Sequence, residues 1–142
     1  MIRLGVDVRL YNLRRYQENL DKLEIVVGST AANIAGDAAT SIEVSSGQWK
    51  PYQRGDKVHW SAPPGTPPNR DTGYLANNIK AYRINGSTYE IKVHAEYGIP
   101  LEIGHITEAG HHVPARPFLV PAVRRHEKAF IKAVRSILYG RM

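Results

Sequence analysis

Ile2, Leu4, Val6, Val8 and Leu10 alternate with Arg3, Gly5, Asp7 and Arg9, the period-two pattern of a strand with one buried face. From Leu13 the period changes. Leu13, Tyr16, Leu20, Leu23, Val27, Thr30, Ile34, Ala38 and Ile42 recur at spacings of three and four. This predicts one face of a helix of about 30 residues, roughly 45 Å long, capped by Asn12 and straight unless Gly28 or Gly36 kinks it. Arg15, Glu18, Lys22 and Asp37 fall on the opposite face, while Ile25 and Val26 widen the apolar stripe and offer a surface to a second subunit. Ser45-Ser46-Gly47 ends the helix.

The second half of the chain is set by prolines and turns. Between residues 47 and 68, Trp49, Tyr52 and Trp60 mix with Lys50, Arg54, Lys57 and His59, and a short hairpin is expected around Arg54-Gly55-Asp56. The stretch from Ser61 to Leu75 opens with a polyproline-like lead that cannot be helical. Asp71 or Thr72 then caps a helix that places Leu75 and Ile79 on one face. Asn85-Gly86 between two β-rich runs predicts a hairpin with a type I′ turn. Tyr89, Ile91, Val93 and Ala95 then face the core, and Glu90, Lys92 and His94 face outward. Tyr97 to Gly104 reads as a short helix or turn, and His105 to Val113 as a mobile loop. A last helix runs from Pro121, at its first position, to about Leu138, with Val123, Phe130, Val134, Ile137 and Leu138 on one face and Gly140 at its end.

These elements predict an α+β fold, a long N-terminal helix and a C-terminal helix packed on a small, mainly antiparallel β-sheet. One domain covers residues 1–142, with the first strand and long helix in 1–46, the proline-rich loop in 47–70, and the hairpin and C-terminal helix in 71–142. A chain of 142 residues can bury roughly two-thirds of its unfolded surface, enough for a real core. Its 42% hydrophobic and 23% charged content is that of a globular domain, and nine prolines with twelve glycines imply long ordered loops. The lack of cysteine excludes a disulfide framework and thiolate metal sites. The N-terminus lacks the continuous apolar run of a signal peptide, and no transmembrane run occurs, so no membrane partner is expected. The net charge of +6 is concentrated near the C-terminus, where Arg124, Arg125, Lys128, Lys132, Arg135 and Arg141 face only Glu127. That distribution permits a basic nucleic-acid-binding module as an alternative function.

Candidate chemistry is sparse. Asp71-Thr72-Gly73 spells the aspartic-protease triplet, but it follows Pro67-Pro68-Asn69-Arg70 instead of ending an apolar strand, so helix capping is the better reading. Arg54-Gly55-Asp56 spells an integrin-recognition motif and is read as a turn. Glu102, His105, Glu108, His111 and His112 could supply nitrogen and oxygen ligands to a metal, but their spacing matches no helical ligand pair, and a solvated loop is the reading taken. The interleaved aromatic and basic residues of 47–68 could stack on nucleic-acid bases, yet such residues usually pin a loop to the core. No nucleophile elbow or glycine-rich phosphate loop is present. No catalytic residue, cofactor or metal ligand is assigned.

Three stretches do carry a likeness. The proline-rich lead with Thr72-Gly73-Tyr74-Leu75-Ala76-Asn77-Asn78-Ile79, then Tyr97 with Glu102 and Gly104, then Arg116-Pro117-Phe118-Leu119-Val120-Pro121-Ala122, resemble the neck proteins of tailed bacteriophages. These are the head-tail joining, tail-completion or minor tail proteins, including the Z-type proteins of lambda-like phages. The order and spacing agree over residues 61–138. Asn78 stands where that family commonly has serine, Gly98 where it has alanine, and His105 where it has threonine. The resemblance implies a structural virion protein without an active site, assembling as a homo-oligomeric ring with connector and tail proteins at the neck. It implies a place in the virion, reached from the host cytoplasm during assembly; the adjacent tail terminator has a similar role. On this reading Pro67, Pro68, Asp71, Thr72, Gly73, Leu75, Ile79, Tyr97, Glu102, Gly104, Arg116, Pro117, Phe118, Pro121 and Ala122 hold the scaffold. Ile25, Val26, Arg124, Arg125, Lys128 and Lys132 are the candidate intersubunit or DNA-facing residues, and loops 47–68 and 105–114 are expected to order on contact with the tail.

Overall fold

The long apolar stripe becomes one unbroken helix. A computed structural model describes residues 2–5 and 13–140. Strand β1 (Ile2–Gly5) precedes helix α1 (Leu13–Glu43), whose 31 residues agree with the predicted length. The expectations at Val6, Val8, Leu10, Asn12 and Arg141, and those for the side chains of Leu13 and Tyr16, lie outside the described residues. Leu23, Val27, Ile34, Ala38 and Ile42 are buried, joined by Ala31 and Ala35. Alanine favours the helix and leaves room for close neighbours, while each buried Leu or Ile contributes roughly 1.5–3 kcal/mol by leaving water.

After α1 come β2 (Pro51–Arg54) and β3 (Lys57–Trp60), an antiparallel hairpin turning at Gly55 as expected, and then a single helical turn, α2 (Tyr74–Asn77). The predicted helix through Ile79 is shorter than expected, because Ile79 already begins β4 (Ile79–Asn85). β4 pairs with β5 (Thr88–Val93), and β5 also pairs with β1, giving an antiparallel sheet of order β1-β5-β4. α1 contacts both this sheet and the last helix. The core joins Ile34, Ala38 and Ile42 of α1 to Leu75, Ile79, Ile91, Phe118, Leu119 and Ala122. This is the α+β architecture read from the sequence.

Two details of the hairpin differ. Asn85 and Thr88 are paired, so Gly86 and Ser87 form the turn, and no residue there has positive φ, which excludes type I′. The Asn85 side chain accepts hydrogen bonds from the Ser87 N–H at 3.0 Å and the Ser87 hydroxyl at 3.2 Å, so local side-chain bonding closes the turn instead. Glu90 was expected to face water, yet it is buried at 2% exposure. It lies on the face away from Ile91, opposite Arg3 and Tyr82, and its carboxylate accepts from Arg3 at 3.2 Å and lies 3.3 Å from the Lys92 ammonium. Burial acts to raise its pKa, but the bonds from Arg3 and Lys92 outweigh it and leave the group below its ordinary value.

α3 (Gly98–Ile103) confirms the short helix after Tyr97. His105 to Val113 is not a structureless loop, because β6 (His105–Ile106) pairs with β7 (His112–Val113). The last helix, α4 (Leu119–Tyr139), begins two residues before Pro121 and ends at Gly140. Asp37 does not lie on a free face of α1. Its carboxylate accepts a hydrogen bond from Arg125 at 2.7 Å and sits 3.3 Å from His126, tying α1 to α4.

A Cβ at Gly98 would lie 2.4 Å from Val93 Cγ1, whereas at exposed Gly36 it would meet nothing within 4 Å. Gly98→Ala should destabilise by about 1–3 kcal/mol and Gly36→Ala should stabilise by up to about 1 kcal/mol, read from urea unfolding. The Arg125 hydrogen bond chiefly holds the Asp37 carboxyl below its usual pKa, against an opposing contribution from burial and with added help from His126. Its stabilisation is complete above the unfolded-state pKa and is lost as pH falls through the lower folded-state value. Asp37→Asn should therefore reduce stability near neutral pH and flatten its decline below about pH 4.

Candidate functional site

The first four N–H groups of an α-helix have no partner within the helix. In α4 these belong to Phe118, Leu119, Val120 and the third helical residue, Pro121, which has no N–H. Glu102 takes the other three. Its Oε2 accepts from Phe118 N at 2.8 Å and Leu119 N at 2.9 Å, and its Oε1 accepts from Val120 N at 2.9 Å. The carboxylate also sits at the positive end of the helix dipole. Pro121 is thus at the third helical position instead of the first, and the reason it is tolerated is the one anticipated.

α3 presents this carboxylate, and Gly104 ends α3 at φ 78. A Cβ there would stand 2.9 Å from Val113 O and 3.0 Å from Ala115 N, so the strand leading to α4 can pass close by. The Arg116 N–H donates to Leu101 O at 2.7 Å, fixing the same two segments by their backbones. Pro117 follows on the approach to Phe118, which is 1% exposed and a centre of the core, with Ala122 fully buried beside it.

Arg116 brings in the proline-rich lead. Its Nε donates to Ala62 O at 2.8 Å and its Nη1 to Pro114 O at 3.2 Å, while Gly65 N donates to Ala115 O at 2.9 Å. The guanidinium lies 5.5 Å from the Trp49 ring. Burial pulls its pKa below the ordinary value, with Tyr52 acting in the opposite direction. Asn69 ties the lead to its surroundings, donating to Gly47 O at 2.6 Å and Trp60 O at 2.9 Å and lying 2.9 Å from Ser45 Oγ. Ser45 also donates to Pro67 O at 2.9 Å. Pro68, Leu75 and Ile79 are buried.

Asp71 does not cap α2. The cap is Gly73 at φ 83, and Thr72 Oγ1 accepts only from Tyr74 N at 3.2 Å. The Asp71 carboxylate instead pairs with Arg54 and lies 3.8 Å from His59 Nδ1, holding the β2–β3 hairpin against the lead. Between them opens a pocket of about 440 Å³, lined by Tyr52, Trp60, Tyr74, Tyr97 and Arg116 among others. Tyr74 and Tyr97 sit 6.4 Å apart, and burial raises the Tyr97 pKa, helped by Tyr74 and opposed by Arg54. The aromatics of 47–68 are therefore only partly anchors, since Trp49, Tyr52 and Trp60 are 38–45% exposed. Sequence spacing alone could not have shown this pocket, whose walls come from residues 42 to 116.

The remaining candidates lie elsewhere. Ile25 is 70% exposed on α1 and Val26 is half-buried. On α4, Arg124, Lys128 and Lys132 are exposed, whereas Arg125 is engaged by Asp37. Among the described residues no group of three His, Cys, Asp or Glu side chains is placed to hold a metal, and Glu102 is committed to the helix cap. No described helix is long and apolar enough to cross a membrane. Compared with protein-family models, with curated proteins and with solved structures, the chain matches none.

Glu102→Ala leaves three helix-start donors without an acceptor. It should cost about 2 kcal/mol or more in urea unfolding, and Glu102→Gln, which keeps one acceptor oxygen, should cost less.

Proposed function

We propose that this chain is a structural virion protein of a tailed phage or prophage, acting in head-tail joining or tail completion at the neck and assembling there as a ring. The observation that carries the reading is the convergence of the three resembling stretches on one knot. Arg116 bonds the lead through Ala62, and Glu102 of the Tyr97–Gly104 stretch caps the helix that Arg116-Pro117-Phe118-Leu119 begins. The residues of the likeness thus serve construction, and fold alone would not support the function. Surface for assembly remains open. Ile25, Ile99, Ile103 and Ile106 are each at least half exposed, and the β2–β3 hairpin, which carries Val58 at 63% exposure, lies largely in solvent. The two loops expected to meet the tail carry hairpins, at 51–60 and 105–113.

Light scattering over a range of concentration should show a discrete high oligomer, or a monomer that converts to one with tail components, and Ile25→Asp should lower the mass. A chain that stays monomeric with every tail component added would end this reading. One observation favours a second. Arg124, Lys128, Lys132 and Arg135 lie at spacings of four, four and three along the exposed side of α4, and none is in an ion pair among the described residues. As a nucleic-acid-binding module the chain would bind short duplex DNA with an affinity that falls steeply with salt. Replacing Lys128 and Lys132 by Gln would reduce the salt slope by about two.

A further inference from the structure

We infer that the pocket between the β2–β3 hairpin and the proline-rich lead receives an acidic side chain, set beside an aromatic residue, on a peptide segment of a partner protein. The argument begins with three guanidiniums that line this pocket. Arg54 is paired with Asp71, and Arg70 with Glu43 at 2.7 Å. Arg116 is the most deeply placed, at 6% exposure, and has no carboxylate partner among the described residues. Two backbone carbonyls accept from its Nε and Nη1, and its Nη2 makes no hydrogen bond among the described residues. A guanidinium stays charged at any ordinary pH, and Nη2 is not among the fully buried atoms left without a partner, so it keeps contact with solvent and is open to an acceptor from outside the chain.

The occupant's chemistry follows from the walls. A carboxylate matches the planar donor edge of a guanidinium, which favours it over a point charge. Tyr52, Trp60, Tyr74 and Tyr97 offer ring surface and hydroxyl groups around it, and about 440 Å³ accommodates one or two side chains. Asp71 on the same lining is already paired with Arg54, so Arg116 is the guanidinium left for an entering anion, and the surrounding rings suit a single carboxylate flanked by an aromatic side chain better than a nucleic-acid backbone, which carries no such ring beside its phosphate. The inference rests on the assembly reading only in taking the occupant from another protein chain.

The chain's only two tryptophans report on this place, Trp60 from the lining and Trp49 from beside the Arg116 guanidinium. Their fluorescence is followed while the full chain is titrated with N-acetyl-Glu-Phe-amide, with its Gln counterpart and with inorganic phosphate. The Glu peptide should give a saturable change and bind roughly tenfold or more tightly than the Gln peptide. Arg116→Gln, if circular dichroism shows it folded, should erase that preference. Should it fail to fold, Tyr74→Ala supplies the second test, weakening both peptides while the preference for Glu persists. Equal binding of the two peptides, no change with either at millimolar concentration, or phosphate binding tighter than that of the Glu peptide would each overturn the proposal. A chain that is monomeric yet prefers the Glu peptide would remove the ring and leave the pocket assignment standing.

Discussion

One carboxylate closes the start of α4, and the architecture of the second half of the chain depends on it. Glu102 accepts from three consecutive N–H groups, and the fourth unsatisfied donor is absent because the residue is Pro121. A helix start buried near a core cannot leave such donors bare, since each would lose its hydration without replacement. The cap therefore decides where α4 begins, and with it where Phe118, Leu119 and Ala122 enter the core. It also ties α3 to α4, and the N-cap residue of α3, Tyr97, makes no side-chain cap hydrogen bond.

Around this point the chain uses polar groups as fasteners between segments that lack regular pairing. Arg116 spans from Pro114 to Ala62, Asn69 from Gly47 to Trp60, and Asp71 holds Arg54 of the hairpin. Prolines in the lead cannot supply ladder hydrogen bonds, so side chains have to locate it. Hydrogen bonds involving a charged group contribute more than neutral ones, which suits a region with little sheet or helix to share the load. The same arrangement leaves Arg116 without a carboxylate partner among the described residues, on the lining of an aromatic pocket.

The pairing of α1 with α4 is held differently. There α1 and α4 pack through small and branched apolar residues and are pinned by Asp37 to Arg125 and His126. The outer face of the sheet buries Glu90 beneath Arg3, which makes β5 a central strand with a charged pair on one side and the hydrophobic core on the other. Only the carboxylate of this pair is withdrawn from water, and the ammonium of half-exposed Lys92 supplies it with a second cation.

The α+β class, the long first helix, the β2–β3 and β4–β5 hairpins and the stop at Gly140 were legible in the sequence by itself, because periodicity and turn residues act within a few positions of one another. The tertiary structure alone decided the roles of Asp71, Glu102, Glu90, Asp37 and Arg116. Asp71 looked like a cap because of the helical stretch that follows it, but Arg54 of the hairpin claimed its carboxylate. Glu102 looked like a stray ligand in a histidine-rich stretch until α4 was brought to it from sixteen residues away. The pocket draws its lining from residues 42 to 116, so no local pattern could announce it. Local propensity sets which elements form; the partner of a charged side chain is settled only when packing brings distant segments within hydrogen-bonding distance and removes the competing water.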